Sequence, residues 1–217
     1  MMAWQGEIVI RDFNQVHLSR VVELHKTCFS KENNMSMRLG DRFIEKTYDF
    51  FYLDPMSFGF VAMADDQVVG VITGRLDYYV DALNKYRKIY MVIGAITHPG
   101  VFFNSNTLNA GMNILKALLS GKSHHTAQPL EQAPSHVSGG TATLASIAVH
   151  PDFTKHKVSD KLIDASVAYV TQKNKHILRC GITRSNMNSR FIFSKKGFVE
   201  DKVLSNNDDM YYYKKIR

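Results

Sequence analysis

The spacing of hydrophobic positions changes several times along the chain, and each change marks an element. Glu7 to Asp12 alternates apolar and polar residues, which predicts a first strand. Asn14 follows as an N-cap. Val16, Leu18, Val21, Val22, Leu24 and Phe29 then recur at helical spacing. A polar loop, Ser30 to Ser36, separates this helix from a second pattern carried by Leu39, Phe43, Ile44, Tyr48 and Phe51, which Asp54-Pro55 ends. Phe58 to Ala64 and Val68 to Leu76 read as a hairpin around Asp65-Asp66-Gln67. Gly70 and Gly74 in the return strand point to a bulge or a close backbone approach.

Residues 77–140 break the rhythm. Tyr78 to Tyr86, parts of 87–103 and Leu108 to Leu119 look helical, and Gly121 to Gly140 is a Ser-, Gly-, Pro- and His-rich loop. Its apolar residues are too interrupted for a separate core, so the segment reads as an insertion at about 77–140 of a single domain covering 1–217. From Thr141 the pattern sharpens. A buried strand runs to Val149 and stops at His150-Pro151, and a helix carries Val158, Leu162, Ala165, Tyr169 and Val170. A strand over Ile177 to Thr183, a short helix over Asn188 to Lys196 closed by Gly197, and strands over Phe198 to Leu204 and Met210 to Ile216 complete the chain. This order describes a mixed α/β (α+β) fold.

Composition narrows the function classes. With 217 residues, 45% hydrophobic and 22% charged, the chain can bury a full core and is neither disordered nor fibrous. Its two cysteines, Cys28 and Cys180, argue against a disulfide scaffold or a cysteine zinc site. The start lacks the layout of a signal peptide, and the most apolar stretch, Ile89 to Ile96, is less than half a membrane crossing. The expectation is a soluble, cytoplasmic protein with no membrane partner. The net charge of +7 lies entirely in residues 141–217, which hold 14 basic and 7 acidic side chains, whereas 1–140 hold 13 of each. A field of this kind suits an anionic partner, although a solvated basic face would look the same. Nucleic acid is a minor option, since no run of five like charges occurs and aromatics do not interleave with the basic residues.

The segment from Ser146 to Leu162 carries the chemistry. A strand ends at a proline, a polar loop follows, and an amphipathic helix begins. Backbone N–H groups in such a loop and first turn lack internal partners and can cradle a pyrophosphate, with Thr154, Lys155, His156, Lys157, Val158 and Ser159 at the turn. Read on spacing alone, the basic trio Lys155, His156 and Lys157 is equally compatible with an exposed loop.

This stretch resembles the GNAT superfamily of acyl-CoA N-acyltransferases. Ile147-Ala148-Val149-His150-Pro151 is similar to the end of that family's fourth strand, whose edge bonds the pantetheine arm of acetyl-CoA. Asn186 to Phe198 is similar to its fifth-strand Asn followed by a helix ending in Lys-x-Gly-Phe. The resemblance covers most of the chain outside the insertion. It implies a mixed, mostly antiparallel sheet flanked by helices, a helical insertion between strands 3 and 4, and a V-shaped opening between strands 4 and 5. It also implies acetyl-CoA, or another acyl-CoA, as co-substrate, bound by Ile147, Ala148, Val149, residues Thr154 to Ser159 and Asn186, with no metal. An amine of a small molecule or peptide would attack the thioester directly in a ternary complex. A homodimer is left open.

Two departures from the family stand out. Its phosphate loop runs Gln or Arg, two residues, Gly, one residue, Gly or Ala; here those places hold Thr154, Lys157 and Ser159. The Tyr that many members use to protonate the thiolate is Phe193, which has no proton to give. Neighbouring Ser194 has a hydroxyl, about 100° away around the helix. Asn186 and Ser194 are therefore the expected catalytic residues, and solvent is the other source of the proton. Thr141 to Val149 contains no Asp, Glu or His to serve as base, so a water chain or a residue of the insertion, such as His124 or His125, would have to act. These departures also leave open a degenerate member used as a binding or regulatory module.

The remaining candidates are weaker. His124, His125 and His136 lack metal-ligand spacing. His150 reads as structural, Cys28 as a core cysteine near the acceptor side, and Tyr212 as pointing opposite to Tyr211 and Tyr213. Asp77 and Asp81 could hold a cationic acceptor, or could simply open a helix.

Overall fold

The structure, a computed structural model, describes residues 6–30, 34–98 and 140–216. Seven strands form one sheet: β1 (Ile8–Asp12), β2 (Ser57–Ala64), β3 (Gln67–Arg75), β4 (Thr141–Val149), β5 (Ile177–Thr183), β6 (Val199–Glu200) and β7 (Asp209–Lys215). Their spatial order is β1-β2-β3-β4-β5-β7-β6, and every pairing is antiparallel except β4 with β5. The α-helices are α1 (Leu18–Cys28), α2 (Met35–Leu39), α3 (Asp41–Leu53), α4 (Val80–Thr97), α5 (Val158–Gln172) and α6 (Met187–Lys195), and 3-10 helices cover Gln15–His17 and Pro151–His156.

Two cores follow from the alternation of side chains across β2, β3 and β4. On one face Phe60, Ala62, Val69, Ile72 and Leu144 pack with Val158, Leu162 and Ile163 of α5. On the other, Val61, Met63, Val71 and Ala148 pack with Val21 and Leu24 of α1 and Ile44, Tyr48 and Phe51 of α3. With both faces covered, β2 is buried at every residue, which is why its sequence shows no polar alternation.

The two hairpin glycines serve close approach. A Cβ at Gly70 would lie 2.6 Å from Val158 Cγ1, and one at Gly74 would lie 2.5 Å from the Phe58 ring and 2.8 Å from Thr143 O. Register shifts accompany both, between Ala62 and Met63 on β2 and between Thr73 and Gly74 on β3.

The structure changes the sequence reading in three places. The pattern over Leu39 to Phe51 is two helices, α2 and α3, broken at Gly40, where φ is +87°; α2 starts at Met35 under an Asn34 cap, so the polar loop is shorter than expected. The helical patterns expected over Tyr78 to Tyr86 and in part of 87–103 join in one helix, α4, which starts at Val80, two residues later than expected, and runs to Thr97. The strand expected over Phe198 to Leu204 is reduced to Val199–Glu200, because Asp201 Oδ1 accepts from the N–H groups of Val203 and Leu204 and turns the chain. The helix expected over 108–119 and nearly all of the loop over 121–140, with His124, His125 and His136, lie outside the described residues. Among the described residues no helix is long and apolar enough to cross a membrane.

Candidate active site

Strands β4 and β5 run together only from Thr141↔Ile177 to Leu144↔Cys180. The next residue, Ala145, is the extra one in the β3–β4 ladder: Gly74 pairs with Leu144 and Thr73 with Ser146. This bulge bends β4 where β5 leaves it. Beyond it β4 stays on β3 while β5 follows β7 to Thr183, so the sheet opens in a V.

The opening exposes backbone. His150 N donates to Val69 O, toward β3. By alternation, Ile147 and Val149 turn their own N–H and C=O groups toward the space β5 has vacated. Cys28 Sγ on α1 donates to Val149 O at 3.3 Å. Burial pushes the Cys28 thiol pKa up, so it stays a thiol and is no thiolate nucleophile.

A cavity of about 250 Å³ fills the V. Its lining brings together Ile147, Ala148, Val149, Ser159 and Asn186 of the expected site, with Cys28, Phe29, Asn188, Ser189, Ile192 and Phe193. Asn186 caps α6, its Oδ1 accepting from Ser189 N at 3.1 Å, which leaves its amide N–H groups for a ligand. Phe193, only 3% exposed, lines the cavity and packs edge-on against Phe198. Ser194 is exposed and is not among the lining residues.

Thr154, Lys155 and His156 lie outside the lining, on a 3-10 helix (Pro151–His156) that joins β4 to α5. His150 caps that turn through Asp152 N, and Thr154 Oγ1 donates to Pro151 O. Val158 is buried in the core. Lys157 has left-handed backbone, φ +56° and ψ +26°, so the turn keeps the conformation that favours glycine although the residue is lysine. No side chain caps α5, whose first N–H groups therefore point outward unclaimed by a cap. Asp160 in that first turn is held by Lys195 and Lys196 at 3.2 and 3.8 Å, which offsets its charge near the helix start.

A second cavity, about 190 Å³, meets β4 one step earlier, at Ala145 and Ser146. Here His25, Tyr48 and Arg87 converge, with Asn34, Thr47, Tyr79 and Leu83 around them. His25 Nδ1 lies 3.0 Å from Tyr48 Oη, and Ser146 sits beside the same hydroxyl. Burial lowers the His25 pKa to about 4, so the imidazole is neutral at neutral pH and can accept at Nδ1. Sequence reasoning missed this cluster. Its only signal was polar residues at helix positions that otherwise face the core, as His25 does beside Val21, Val22 and Leu24. Asp77, considered for a cationic acceptor, instead pairs with Arg75, which also holds Asp54 at 2.9 Å.

No protein-family model and no curated protein matches this sequence. Solved structures do match its fold. PaiA N-acetyltransferase from Thermoplasma acidophilum, in complex with coenzyme A, superimposes with a TM-score of 0.60 at 13% identity, covering 96% of this chain and 99% of that one. The GNAT domain of Streptomyces lividans PAT gives 0.59 at 8% identity, over 97% and 91%. The ribosomal-protein-S18-alanine N-acetyltransferase from Escherichia coli gives 0.55 at 10%, over 97% and 94%. The chain has the GNAT fold. Within the GNAT fold, this chain's β4–β5 opening is made by the Ala145 bulge, and the two cavities share β4 as a common wall.

Proposed function

We propose that this protein is an acyl-CoA-dependent N-acyltransferase in which the thioester lies along β4, at the junction of the two cavities. The observation that carries the reading is the opened strand edge at Ile147 and Val149, facing a cavity that Asn186 and Ser159 also line. A pantetheine arm, with its own amide groups, completes such an edge as a strand would. The diphosphate then reaches the turn from Thr154 to Ser159, where uncapped N–H groups and Lys155, His156 and Lys157 offer donors and positive charge. That a protein of this fold has been solved with coenzyme A supports the same reading.

The acceptor enters through the second cavity. Its amine lone pair attacks the thioester carbonyl carbon, a C–N bond forms, the C–S bond breaks, and the thiolate leaves with the electron pair. The ammonium proton leaves past Ser146 and the Tyr48 hydroxyl to water; neutral His25 accepts from Tyr48 Oη at Nδ1 and fixes the direction of that hydroxyl, since β4 itself offers no carboxylate or histidine. Phe193 cannot return a proton to sulfur, so water does. Transfer is direct in this reading, and the raised pKa of the buried Cys28 thiol, which disfavours it as a nucleophile, supports that. Amine-dependent release of CoA thiol from acetyl-CoA tests the reading. Initial rates at varied acetyl-CoA and amine should give intersecting double-reciprocal lines; parallel lines, the mark of an acyl-enzyme, would overturn direct attack.

A further inference from the structure

Among the described residues that line the second cavity, one side chain carries a full charge. Arg87, on α4, lines it, and no Asp, Glu or Lys lines it with Arg87. The guanidinium lies 5.0 Å over the Phe43 ring; Nη1 donates to Thr47 Oγ1 at 3.4 Å and Nη2 to Asn84 Oδ1 at 3.1 Å. Among the described residues no carboxylate forms an ion pair with it, and its buried Nε has no partner. Asp49 holds Lys46 and the Tyr52 hydroxyl, and Asp77 holds Arg75. Burial accordingly lowers the Arg87 pKa to about 10, leaving it charged at neutral pH.

A half-buried guanidinium with no counter-ion among the described residues is costly, and most of its N–H donors remain unspent there. Its planar fork matches a carboxylate. The cavity is also smaller than the roughly 300–1,000 Å³ of a drug-sized ligand site, and Asn34, Thr47, Tyr48 and Ser146, among its other polar lining groups, are neutral. Resting on the acyltransferase reading, we infer that the acceptor is a small amino carboxylate of the amino-acid class, its carboxylate bound by Arg87 on α4 and its amine presented to β4 at Ser146. The acidic acceptor contact considered from sequence is thereby reversed in sign.

The test uses the full-length protein, acetyl-CoA and a panel of free amino acids, each paired with its own carboxamide. Rates are compared at equal concentrations of free amine, because the carboxamides are weaker bases. A charge-assisted contact to carboxylate contributes about 1.5–3 kcal/mol, so the carboxylate of the best pair should show a KM at least tenfold below its carboxamide. Arg87→Gln should raise the carboxylate's KM at least tenfold and bring it to that of the carboxamide, closing the ratio within each pair. Arg87→Lys should restore part of the preference. Equal use of both partners, or transfer to none of the carboxylates, overturns this inference; if acetyl-CoA still binds and carboxamides still react, the acyltransferase reading survives. Absence of both acetyl-CoA binding and transfer overturns the two together. If Arg87→Gln loses acetyl-CoA binding, the wild-type carboxylate-to-carboxamide ratio decides alone.

Discussion

Lys157 occupies a position whose backbone suits glycine, and this can be converted into a signed prediction. At φ +56° a Cβ crowds the following carbonyl, at a cost of about 1–2 kcal/mol. Glycine removes that cost but adds about 0.5–1 kcal/mol of backbone entropy to the unfolded chain. The Lys157 side chain is exposed and enters no ion pair or hydrogen bond among the described residues, so nothing else is lost. Lys157→Gly should therefore stabilise the protein by about 0.7 kcal/mol, a rise in Tm of about 2 °C for a chain of this length. Lys157→Ala retains the crowding and should melt close to wild type. Acetyl-CoA affinity separates charge from shape. Alanine loses one exposed charge, about 0.2–1 kcal/mol, and should weaken binding about two- to fivefold. Glycine loses the same charge but opens the backbone to the diphosphate, so it should bind more tightly than alanine. The assay is calorimetric melting of the three proteins, followed by acetyl-CoA titration of each. A Tm for Lys157→Gly at or below that of Lys157→Ala would refute the strained-turn account.

Three further outcomes follow from the site. Phe193→Tyr places a hydroxyl on a ring that lines the cavity, and should raise kcat several-fold in the CoA-release assay with acetyl-CoA KM little changed; no gain would show that this ring edge does not reach the sulfur. Tyr48→Phe removes the hydroxyl between Ser146 and His25, and should lower kcat about 100-fold while the acetyl-CoA Kd holds; an unchanged kcat would remove the relay. His25 takes up its proton in the unfolded chain near pH 6.5 but in the fold only near pH 4. Its stabilisation is thus full above pH 6.5 and falls by on the order of 3 kcal/mol as the pH drops to 4. Denaturant unfolding of wild type and His25→Gln across that window should differ in slope accordingly, and equal slopes would contradict a buried neutral imidazole.

Much of the architecture was legible because its signals are local. The alternation in β1, the buried run of β2, the largely apolar run of β4, and the 3.6-residue spacing of α1 and α5 each arise from which face a segment buries. Gly70 and Gly74 were readable as close approaches because few other reasons place glycine in a buried strand. The β4 edge and Asn186 were found through family resemblance, since backbone N–H groups leave no mark in a sequence. The Ala145 bulge was not legible: it is a mismatch of one residue between β3 and β4, visible only once both strands are paired. Nor was the second cavity. His25, Tyr48, Arg87 and Ser146 come from four separate elements, and each looks ordinary in its own helix or strand. That Asp77 is engaged was not legible either: Arg75, two residues away on the end of β3, pairs with that carboxylate. The shortened β6 has a similar cause, a side chain of Asp201 competing for the backbone that a longer strand would use.

The central claim is that the β4–β5 opening is an acyl-CoA seat, and direct titration of acetyl-CoA into the full-length protein by calorimetry tests it most simply. The account predicts one site per chain with micromolar affinity, weakened when Lys157 is replaced by alanine. No detectable heat at millimolar acetyl-CoA would contradict it, and would leave a GNAT fold whose open strand edge serves some other ligand.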